Sequence, residues 1–457
     1  MWLRPPLPLS DHPGPGGAGG DPDLRRRSCG TAWEGGDAVI LANGALLPDS
    51  DLPKVLSGLE AEINHTRSAS PLEAEAVVDA CATLLDRLDQ GDLDHLLSRF
   101  ATPQLLDTLG RYRHTLQPES LRYKLAVELD GLWTGERPRP FGRSVVLPLG
   151  TLLHIAAGNM EGLPAFSALE GLLTGNVNLL KLPSGDTGLS LALLKLLTDI
   201  KPDLAPYLYV FSIPSADRTS LEVLASLADG IVTWGGDEAV RAARSMAPAG
   251  CKLIEWSHRL SFAYVSGRPP EEEWYALARH ILSTGGLLCS SCQVIYLDTD
   301  SLDDGRAFCH SFLPILERAA AACHPTPGQA AQATLHGYEH FLEQTVRNTG
   351  AQVFLGRGCS VTLCPDQELE LSPLHGNILV KRLPRSQLFS VLRRQKGRLQ
   401  TAGLLCPPEE REELTALLVR AGLTRITSAG TMSAPFPGAG HDGEHPLRRY
   451  VRIVDIE

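Results

Sequence analysis

Short apolar runs alternate with helical segments from residue 143 onward, and this alternation restricts the possible folds more than any other feature of the chain. Strands that alternate with helices of about 10–15 residues indicate βαβ units and a parallel sheet. Ligands of open sheets bind at the carboxyl ends of the strands, so those ends are where chemistry is expected. We predict strands at 144–155, 176–182, 207–213, 230–234, 251–255 and 261–266, with helices at 163–173, 187–200, 215–228 and 237–247.

A second alternation begins near Gln293 and predicts a second α/β domain. It contains a strand at 293–297, helices at 303–323 and 328–349, and short strands at 352–355, 361–364, 377–381 and 399–404. Upstream, residues 53–133 are mainly helical in pattern, with segments that begin at prolines 71, 103 and 118. Fourteen of the first 36 residues are Gly or Pro, which predicts a disordered tail.

These patterns divide the chain into five parts. We expect a disordered tail at 1–36, a mainly helical region at 37–142 and a first α/β domain at 143–267. A second α/β domain at 268–430 and a C-terminal tail at 431–457 follow. The tail is expected to pack on the first α/β domain or on a neighbouring subunit. We also expect a homo-oligomer.

Composition and charge exclude several classes of function. The chain has 42 Lys and Arg against 53 Asp and Glu, a net charge of −11, which disfavours nucleic acid as a partner. No apolar run reaches the roughly 18 residues of a membrane span. The ten cysteines are too sparse for a disulfide framework, and prolines interrupt the N-terminal segment where a signal peptide needs an apolar helix. We expect a soluble protein of the reducing cytoplasm.

Two predicted strands in the first α/β domain end in residues that can contact a ligand. Asn159 follows the first strand in a Gly-flanked turn, where its amide could stabilise an oxyanion or simply cap the turn. Lys181 ends the next strand and could hold a nucleotide ribose or 2′-phosphate with the help of Ser184. It could equally be a solvated lysine at the edge of a sheet.

Two further strand ends are weaker candidates. Gly235 and Gly236 form a strand-to-helix turn that would let a pyrophosphate approach the backbone, although the acidic residues that follow oppose this. The turn could also be a plain connection. Glu255 ends another strand and could be a base, an electrostatic partner or a solvated carboxylate.

The strongest nucleophile candidate is Cys289, which lies in a glycine-rich loop at the junction of the two α/β domains. Backbone N–H groups of such a loop could activate its thiol. Cys289 and Cys292 also form a C-x-x-C pair, which leaves a redox dithiol open, and Cys359 and Cys364 could complete a zinc site. Neither alternative has the expected context or ligand spacing.

The order of these sites resembles the aldehyde dehydrogenase superfamily. Asn159 falls on the oxyanion position of that superfamily, Lys181 on the lysine that holds the cofactor ribose, and Cys289 on the catalytic thiol. Residues 233–240 resemble its nucleotide-binding turn, and Glu255 resembles the first residue of its glutamate motif. Trp-Ser-His-Arg follows Glu255 in place of two glycines and a lysine, which argues against a hydrolytic role for this glutamate.

Within the superfamily the chain most resembles the acyl-CoA reductase family of bacterial luminescence, its fatty-acid reductase component. The stretches that carry this likeness are 157–164, 181–186, 254–266, 289–293, 399–403 and 441–451. The resemblance implies an α/β fold of aldehyde dehydrogenase type, with a Rossmann-type cofactor domain, a second α/β catalytic domain and a helical N-terminal region.

The same resemblance implies the activity: NADPH-dependent reduction of an acyl thioester, on CoA or an acyl carrier protein, to an aldehyde through an acyl-cysteine. Its implied catalytic residues are Cys289, Asn159 and Glu255, and its implied cofactor-binding residues are Lys181, Ser184, Gly235 and Gly236, with no metal. Two alternatives remain open at this stage. One is an aldehyde-oxidising NAD(P) dehydrogenase in which Glu255 activates water, and the other is a non-catalytic metal-binding scaffold.

Overall fold

Two seven-stranded sheets and one three-stranded sheet form the framework of the protein. The structure is a computed structural model, and it describes residues 39–69, 71–94, 98, 110, 113–129, 137–139, 142–158, 160, 162–323, 325–434 and 436–457. The predicted tail at 1–36, most of the predicted helix at 103–116 and Asn159 lie outside these residues. Within the described part of the chain, no helix is both long enough and apolar enough to cross a bilayer. The predicted α/β fold is confirmed.

Seventeen strands are described. They are β1 Val39–Ala42, β2 Ala45–Pro48, β3 Arg137–Arg139, β4 Gly142–Pro148, β5 Thr151–Ile155, β6 Val177–Lys181, β7 Leu208–Phe211, β8 Gly230–Gly235, β9 Lys252–Ser257, β10 Leu260–Val265, β11 Cys292–Leu297, β12 Gln352–Gly356, β13 Cys359–Leu363, β14 Asn377–Arg382, β15 Leu399–Leu405, β16 Arg425–Ser428 and β17 Val451–Ile456.

Thirteen α-helices are described between and around these strands. They are α1 Leu52–Ser68, α2 Ala74–Gln90, α3 Pro118–Glu128, α4 Leu163–Leu173, α5 Leu189–Ile200, α6 Arg218–Ser226, α7 Asp237–Met246, α8 Glu271–Thr284, α9 Leu302–Ala322, α10 Pro327–Arg347, α11 Arg385–Leu392, α12 Arg411–Ala421 and α13 Pro446–Arg449.

The first sheet has the order β2-β1-β7-β6-β5-β8-β9, and its last five strands are parallel. At one edge the hairpin β1–β2 pairs antiparallel with β7. The hairpin turns at Asn43 and Gly44, whose φ angles of 47° and 73° suit a tight two-residue turn. The strand order reverses between β5 and β8, which makes their carboxyl ends the expected ligand crevice of this sheet.

The single strand predicted at 144–155 is wrong, because two strands in different sheets occupy that segment. The chain bends at Gly150, which has a φ of 143°. A Cβ at this position would lie 2.0 Å from Oδ2 of Asp229, so only glycine fits without a shift. Upstream of the bend β4 joins the three-stranded sheet, and downstream of it β5 enters the first sheet.

The second sheet has the order β12-β13-β14-β11-β10-β15-β16, and only β12 runs antiparallel to its neighbour. Alternate residues of β10 enter two separate cores: Ala263 and Val265 pack on one face, Phe262 and Tyr264 on the other. Both faces of this sheet are therefore covered, as is usual for parallel sheets. Because β10 pairs with β11, the predicted boundary at residue 267 falls after the first strand of the second sheet.

The third sheet is antiparallel, with the order β17-β4-β3. Its strand β17 belongs to the C-terminal tail and pairs with β4 over six residues, from Val451 opposite Pro148 to Ile456 opposite Arg143. The tail therefore packs on its own chain, next to the first sheet. Since the described residues from Val39 onward form one unit, the three sheets can jointly build a site.

Candidate active site

A cavity of about 510 Å³ lies between the carboxyl edge of the first sheet and the amino edge of the second. Its walls include the loops after β5, β8 and β9 and the loop before β11. Apolar and aromatic side chains, including Phe166, Trp234 and Trp256, form most of the lining. A mostly apolar pocket with a few polar groups is typical of a small-molecule site. The predicted loops after β5 and β8 and before β11 therefore meet at one cavity, whereas Lys181 and Ser184 after β6 are not among its lining residues.

The loop after β5 contributes Gly158 and Met160 to the cavity lining. A Cβ on Gly158 would lie 3.2 Å from Cβ of Pro183, so this loop passes close to the loop after β6. Asn159 itself lies outside the described residues, and its oxyanion role remains a prediction.

Lys181 ends β6 with its side chain buried, 4% of the residue being exposed. Its Nζ donates a hydrogen bond to Oγ of Ser215, 3.1 Å away, in the loop after β7. Burial lowers the pKa of this ammonium because the charged form loses hydration. The predicted helper, Ser184, is exposed in the turn that follows. The hydroxyl that contacts Lys181 belongs instead to Ser215, which sequence analysis missed.

Gly235 ends β8 and Gly236 caps α7, and both line the cavity. Gly235 has a φ of 152°, and no atom lies within 4 Å of a Cβ built on Gly236. The backbone at the N-terminus of α7 is therefore open to a ligand. The first-turn carboxylate of Asp237 is paired with Arg398 at 3.2 Å, which offsets one of the two acidic residues there.

Cys289 lies half-buried on the cavity wall, in the loop that joins α8 to β11. Gly285 ends α8 in the left-handed conformation, and Ser291 Oγ accepts the N–H of Leu288 at 2.9 Å. Ser261 Oγ donates to the carbonyl of Cys289 at 2.6 Å, which ties the loop to β10. The loop that carries the thiol is therefore held in place by Ser261 of β10 and by Ser291 directly before β11.

Burial raises the pKa of the Cys289 thiol, and the Asp442 carboxylate raises it further. The Gln400 amide and the N–H groups of Cys289 and Ser290 contact the sulfur and act in the opposite direction. The net effect is a pKa above the usual value of a thiol, so Cys289 is protonated at neutral pH. Attack on a carbonyl by this sulfur requires a group that takes up the proton.

The C-terminal tail contributes two residues that sequence analysis missed: His441, which lines the cavity, and Asp442, whose charge acts on Cys289. Asp442 has 3% of its side chain exposed and accepts hydrogen bonds from Gln400 Nε2 at 2.7 Å and from Arg259 Nε at 2.8 Å. Its φ of 51° places it in the left-handed region. The tail and the Cys289 loop both belong to stretches that carry the family resemblance. The tail sequence Gly-His-Asp-Gly is an ordinary turn sequence, however, and by itself it predicts no catalytic role.

His441 packs against two indole rings of the cavity wall that also contact each other. Its ring centroid is 5.1 Å from that of Trp234 and 4.9 Å from that of Trp256. Behind it the tail is held by Glu128 of α3, whose Oε2 accepts the N–H of Leu447 at 2.9 Å. The imidazole is therefore held on the cavity wall by aromatic packing and by the anchored tail.

A buried chain of hydrogen bonds orients Trp234. Its Nε1 donates to Ser167 Oγ at 2.9 Å, and the Ser167 hydroxyl contacts His154 Nδ1 at 2.7 Å. His154 Nε2 contacts Asn178 Oδ1 at 2.9 Å, while Asn178 Nδ2 donates to the carbonyl of Asn176. The amide thus accepts from Nε2, and Ser167 donates to Nδ1. Desolvation lowers the pKa of His154 to about 4, so the imidazole is neutral.

Glu255 faces away from the cavity. Its two carboxylate oxygens accept a bidentate pair of hydrogen bonds from Arg244 of α7, at 2.6 and 2.7 Å. The next residue, Trp256, lines the cavity instead, because successive side chains of a strand point to opposite faces. The structure therefore does not bring Glu255 together with Cys289.

The other cysteines of the predicted zinc and redox alternatives are core residues. Cys292 and Cys359 are buried in one core of the second sheet, and Cys364 is buried in the other. Burial raises the pKa of each thiol to about 12. Among the residues that the structure describes, no group of three or more His, Cys, Asp or Glu could hold a metal ion.

Solved structures with the same architecture include aldehyde dehydrogenases. Aldehyde dehydrogenase 21 from Physcomitrella patens, in complex with succinate, has a TM-score of 0.68 at 11% identity and covers 92% of this chain and 94% of its own. A bifunctional proline utilization A protein has a TM-score of 0.68 at 17% identity, covering 89% of this chain and 45% of its own. The chain therefore has the aldehyde dehydrogenase fold.

Residues 70–453 match the sequence profile of one protein family, acyl-CoA reductase (LuxC). The chain belongs to this family, as the sequence resemblance implied. It is similar to the long-chain acyl-protein thioester reductase of Aliivibrio fischeri, 25% identical over 320 residues. The corresponding protein of Photobacterium leiognathi is 25% identical over 321 residues. The matches cover 68% of this chain and only 64% and 65% of these relatives.

Proposed function

We propose that this chain reduces an acyl thioester to an aldehyde, with Cys289 as the covalent nucleophile and NADPH as the reductant. The observation that carries the proposal is the position of Cys289. Its half-buried thiol lines the same cavity as the glycines at the ligand-binding edge of the first sheet. A nucleophile and a nucleotide crevice in one cavity are what this reaction needs.

In the proposed reaction, the Cys289 sulfur attacks the thioester carbonyl, the donor thiol leaves and the acyl group remains on the enzyme. Covalent capture fixes the carbonyl in the cavity before reduction. The N–H of Cys289 and the Asn159 amide would hold the carbonyl oxygen as it becomes negative. After reduction, the thiohemiacetal on Cys289 collapses to the free aldehyde, and the thiol is regenerated.

The residues around the crevice fit a nicotinamide dinucleotide, which when bound supplies a hydride to the acyl carbon. Lys181 offers a buried cation at the end of β6, and Gly236 leaves open space at the N-terminus of α7. The buried Lys181 cation can hold a ribose hydroxyl or a 2′-phosphate, and Ser184 lies exposed in the adjacent turn. The choice of NADPH over NADH follows the family resemblance.

The acyl donor is a thioester of CoA or of a protein. The curated relatives in Aliivibrio fischeri and Photobacterium leiognathi are named long-chain acyl-protein thioester reductases, which supports a protein-bound acyl group. The lining of the cavity, with Phe166, Trp234 and Trp256, suits an apolar acyl chain. We place the enzyme in the cytoplasm, where both thioester donors and NADPH are available.

The position of Glu255 supports reduction over aldehyde oxidation. Oxidation to a carboxylate needs a base that activates water in the cavity. Glu255 was the sequence candidate for that base, but its carboxylate is occupied by Arg244 on the opposite face of β9. Release of the acyl group by hydride transfer needs no such base.

The first test replaces the nucleophile. Purified protein is incubated with NADPH and a panel of acyl-CoA thioesters of increasing chain length, and aldehydes are trapped with a hydrazine. Cys289→Ala is expected to lower aldehyde formation by about a thousand-fold or more, because both the acylation and the reduction use this sulfur. NADPH binding, followed by fluorescence, should be unchanged.

The matched control is Cys292→Ala, which removes the other thiol of the C-x-x-C pair. Since Cys292 is buried in the core, with 1% of the residue exposed, this variant should retain aldehyde formation. Full turnover by Cys289→Ala would contradict the proposal. Loss of activity in both variants, with intact folding, would instead favour a dithiol mechanism.

A further inference from the structure

Two imidazoles line the cavity, and the reaction as proposed above assigns neither of them a role. His258 is exposed in the two-residue link between β9 and β10. His441 has 29% of its side chain exposed and packs against both Trp234 and Trp256. Their environments differ, and that difference decides which of them can serve the thiol.

His441 is connected to Cys289 through its neighbour in the chain. Asp442 accepts a hydrogen bond from Gln400 at 2.7 Å, and the Gln400 amide in turn contacts the Cys289 sulfur. Asp442 Oδ2 lies 4.0 Å from His441 Nε2. The thiol, the amide, the carboxylate and the imidazole therefore form one continuous cluster on the cavity wall. His258, by contrast, interacts with Asp237 and Arg398 beside the N-terminus of α7, the nucleotide end of the cavity.

The thiol needs a proton acceptor, and the cluster explains why. A carboxylate next to a half-buried sulfur stabilises the protonated thiol over the thiolate. Asp442 itself accepts hydrogen bonds from Arg259 and Gln400, which hold its carboxylate in place as a fixed charge. Among the described side chains of the cavity wall, the imidazoles are the groups that can be neutral at pH 7 and still accept a proton.

We propose that His441 takes the proton of the Cys289 thiol as its sulfur attacks the thioester, and then gives that proton to the departing thiolate. This inference rests on the proposed function and deepens it. The sulfur–carbon bond to Cys289 forms, the bond to the donor sulfur breaks, and the donor leaves as a neutral thiol. No net proton is consumed in this half-reaction. After the aldehyde leaves, the Cys289 thiolate regains a proton from water through His441.

The charges that face His441 fit this exchange. Asp442 in the tail and Glu170 of α4 favour its protonated form, while Lys124 of α3 and Arg259 in the β9–β10 link oppose it. Burial has the largest effect and keeps the pKa of His441 below its usual value of 6.5. The imidazole is therefore neutral and able to accept a proton at pH 7, while the two carboxylates stabilise the imidazolium formed during the reaction.

The test isolates acylation from reduction. Wild type, His441→Asn and His441→Gln are mixed with acyl-CoA in the absence of cofactor, and the burst of free CoA thiol is followed from pH 5.5 to 10. In the wild type the burst rate should rise as His441 loses its proton and reach a plateau by neutral pH. In both variants we expect a loss of about 100-fold at pH 7. Their rates should then rise further with pH, through the raised pKa of Cys289.

An activated acyl donor provides a readout that a structural role would not change. A nitrothiophenyl ester has a leaving thiolate that needs no protonation. With this donor at pH 9.5, where hydroxide assists ionisation of Cys289, the His441 variants should recover to within about tenfold of the wild type. A variant that is merely misfolded would remain inactive with either donor, and its melting temperature would fall.

Two control variants complete the design. His445→Asn removes the other imidazole of the same tail, which does not line the cavity, and should leave the burst and its pH profile unchanged. His258→Asn tests the other imidazole of the cavity. The inference is overturned if His258→Asn, rather than His441→Asn, removes the pH-dependent step, or if His441→Asn keeps the wild-type profile. If the wild type releases no thiol from any thioester, the proposed function fails instead.

Discussion

Single residues at strand ends carry the chemistry, and the packing around each determines what its side chain can do. Lys181 and Glu255 both end strands of the first sheet. Lys181 is buried, has a lowered pKa and donates a hydrogen bond to the neutral hydroxyl of Ser215. Glu255 is instead paired with the oppositely charged Arg244. Only the lysine keeps a charge that a ligand could use.

At this scale we expect Lys181→Met to weaken NADPH binding by roughly 2 kcal/mol, about thirty-fold, because a charge-assisted hydrogen bond to the cofactor is lost. Dissociation constants measured by fluorescence for NADPH and NADH would check this. The matched control is Lys195→Met, which removes a lysine paired with Asp199 on the surface of α5. Equal affinities of Lys181→Met and the control would show that Lys181 does not touch the cofactor.

Elements of the first sheet are joined behind the cavity by the buried imidazole of His154. It links β5 to α4 through Ser167 and to β6 through Asn178. Ser167 then holds the Trp234 indole of β8. Each partner is 0–8% exposed, so an unmade bond in this chain would leave a buried polar atom without water. One neutral histidine therefore links three strands of the first sheet, β5, β6 and β8, with the helix α4.

The His154 network predicts a pH dependence of stability. Its folded-state pKa of about 4 lies below the usual 6.5, so below pH 6.5 the unfolded chain binds a proton that the folded protein does not. The free energy of unfolding should therefore fall by about 3 kcal/mol from pH 6.5 to pH 4, with no further loss from this group below that range.

Urea unfolding of the wild type and His154→Asn at pH 7 and pH 4.5 provides the measurement. The variant should be less stable at pH 7, because Ser167 and Asn178 lose their partner. It should also lose less stability on acidification than the wild type. A parallel decline of both proteins would mean that other groups account for the whole pH dependence.

At the scale of the whole molecule, Arg259 joins three parts of the chain. It lies in the two-residue link between β9 and β10, and so between the two large sheets. Its Nε donates to Asp442 of the tail at 2.8 Å, and its guanidinium also donates to the carbonyl of Gly397 before β15. The side chains of Arg259 and Asp442 are 18% and 3% exposed. A buried ion pair thus fixes the tail against both sheets.

Removal of one partner from this pair should be costly. Arg259→Met leaves the Asp442 carboxylate buried without its arginine, and we expect a loss of about 3 kcal/mol in the free energy of unfolding. The double variant Arg259→Met/Asp442→Asn should recover part of that loss, because the uncompensated charge is gone. Chemical unfolding of the double-mutant cycle measures the coupling, and additive effects would contradict it.

The sequence alone was sufficient to predict the two α/β parts of the fold, the family and the cysteine whose thiol lines the cavity. Hydrophobic periodicity and the glycines of tight turns are local properties, so strands and helices such as β6 and α9 appear close to their predicted limits. Local patterns failed at Gly150, where one apolar run becomes two strands, because the bend depends on Asp229 from a distant loop.

Tertiary structure alone decided the partners of the site residues. Glu255 pairs with Arg244 because of which face of β9 it occupies, and Lys181 contacts Ser215 because the loop after β7 passes beside β6. The tail residues His441 and Asp442 reach Cys289 across about 150 positions of chain. Burial and charge at a site are sums over neighbours in space, and a linear pattern records only neighbours in sequence.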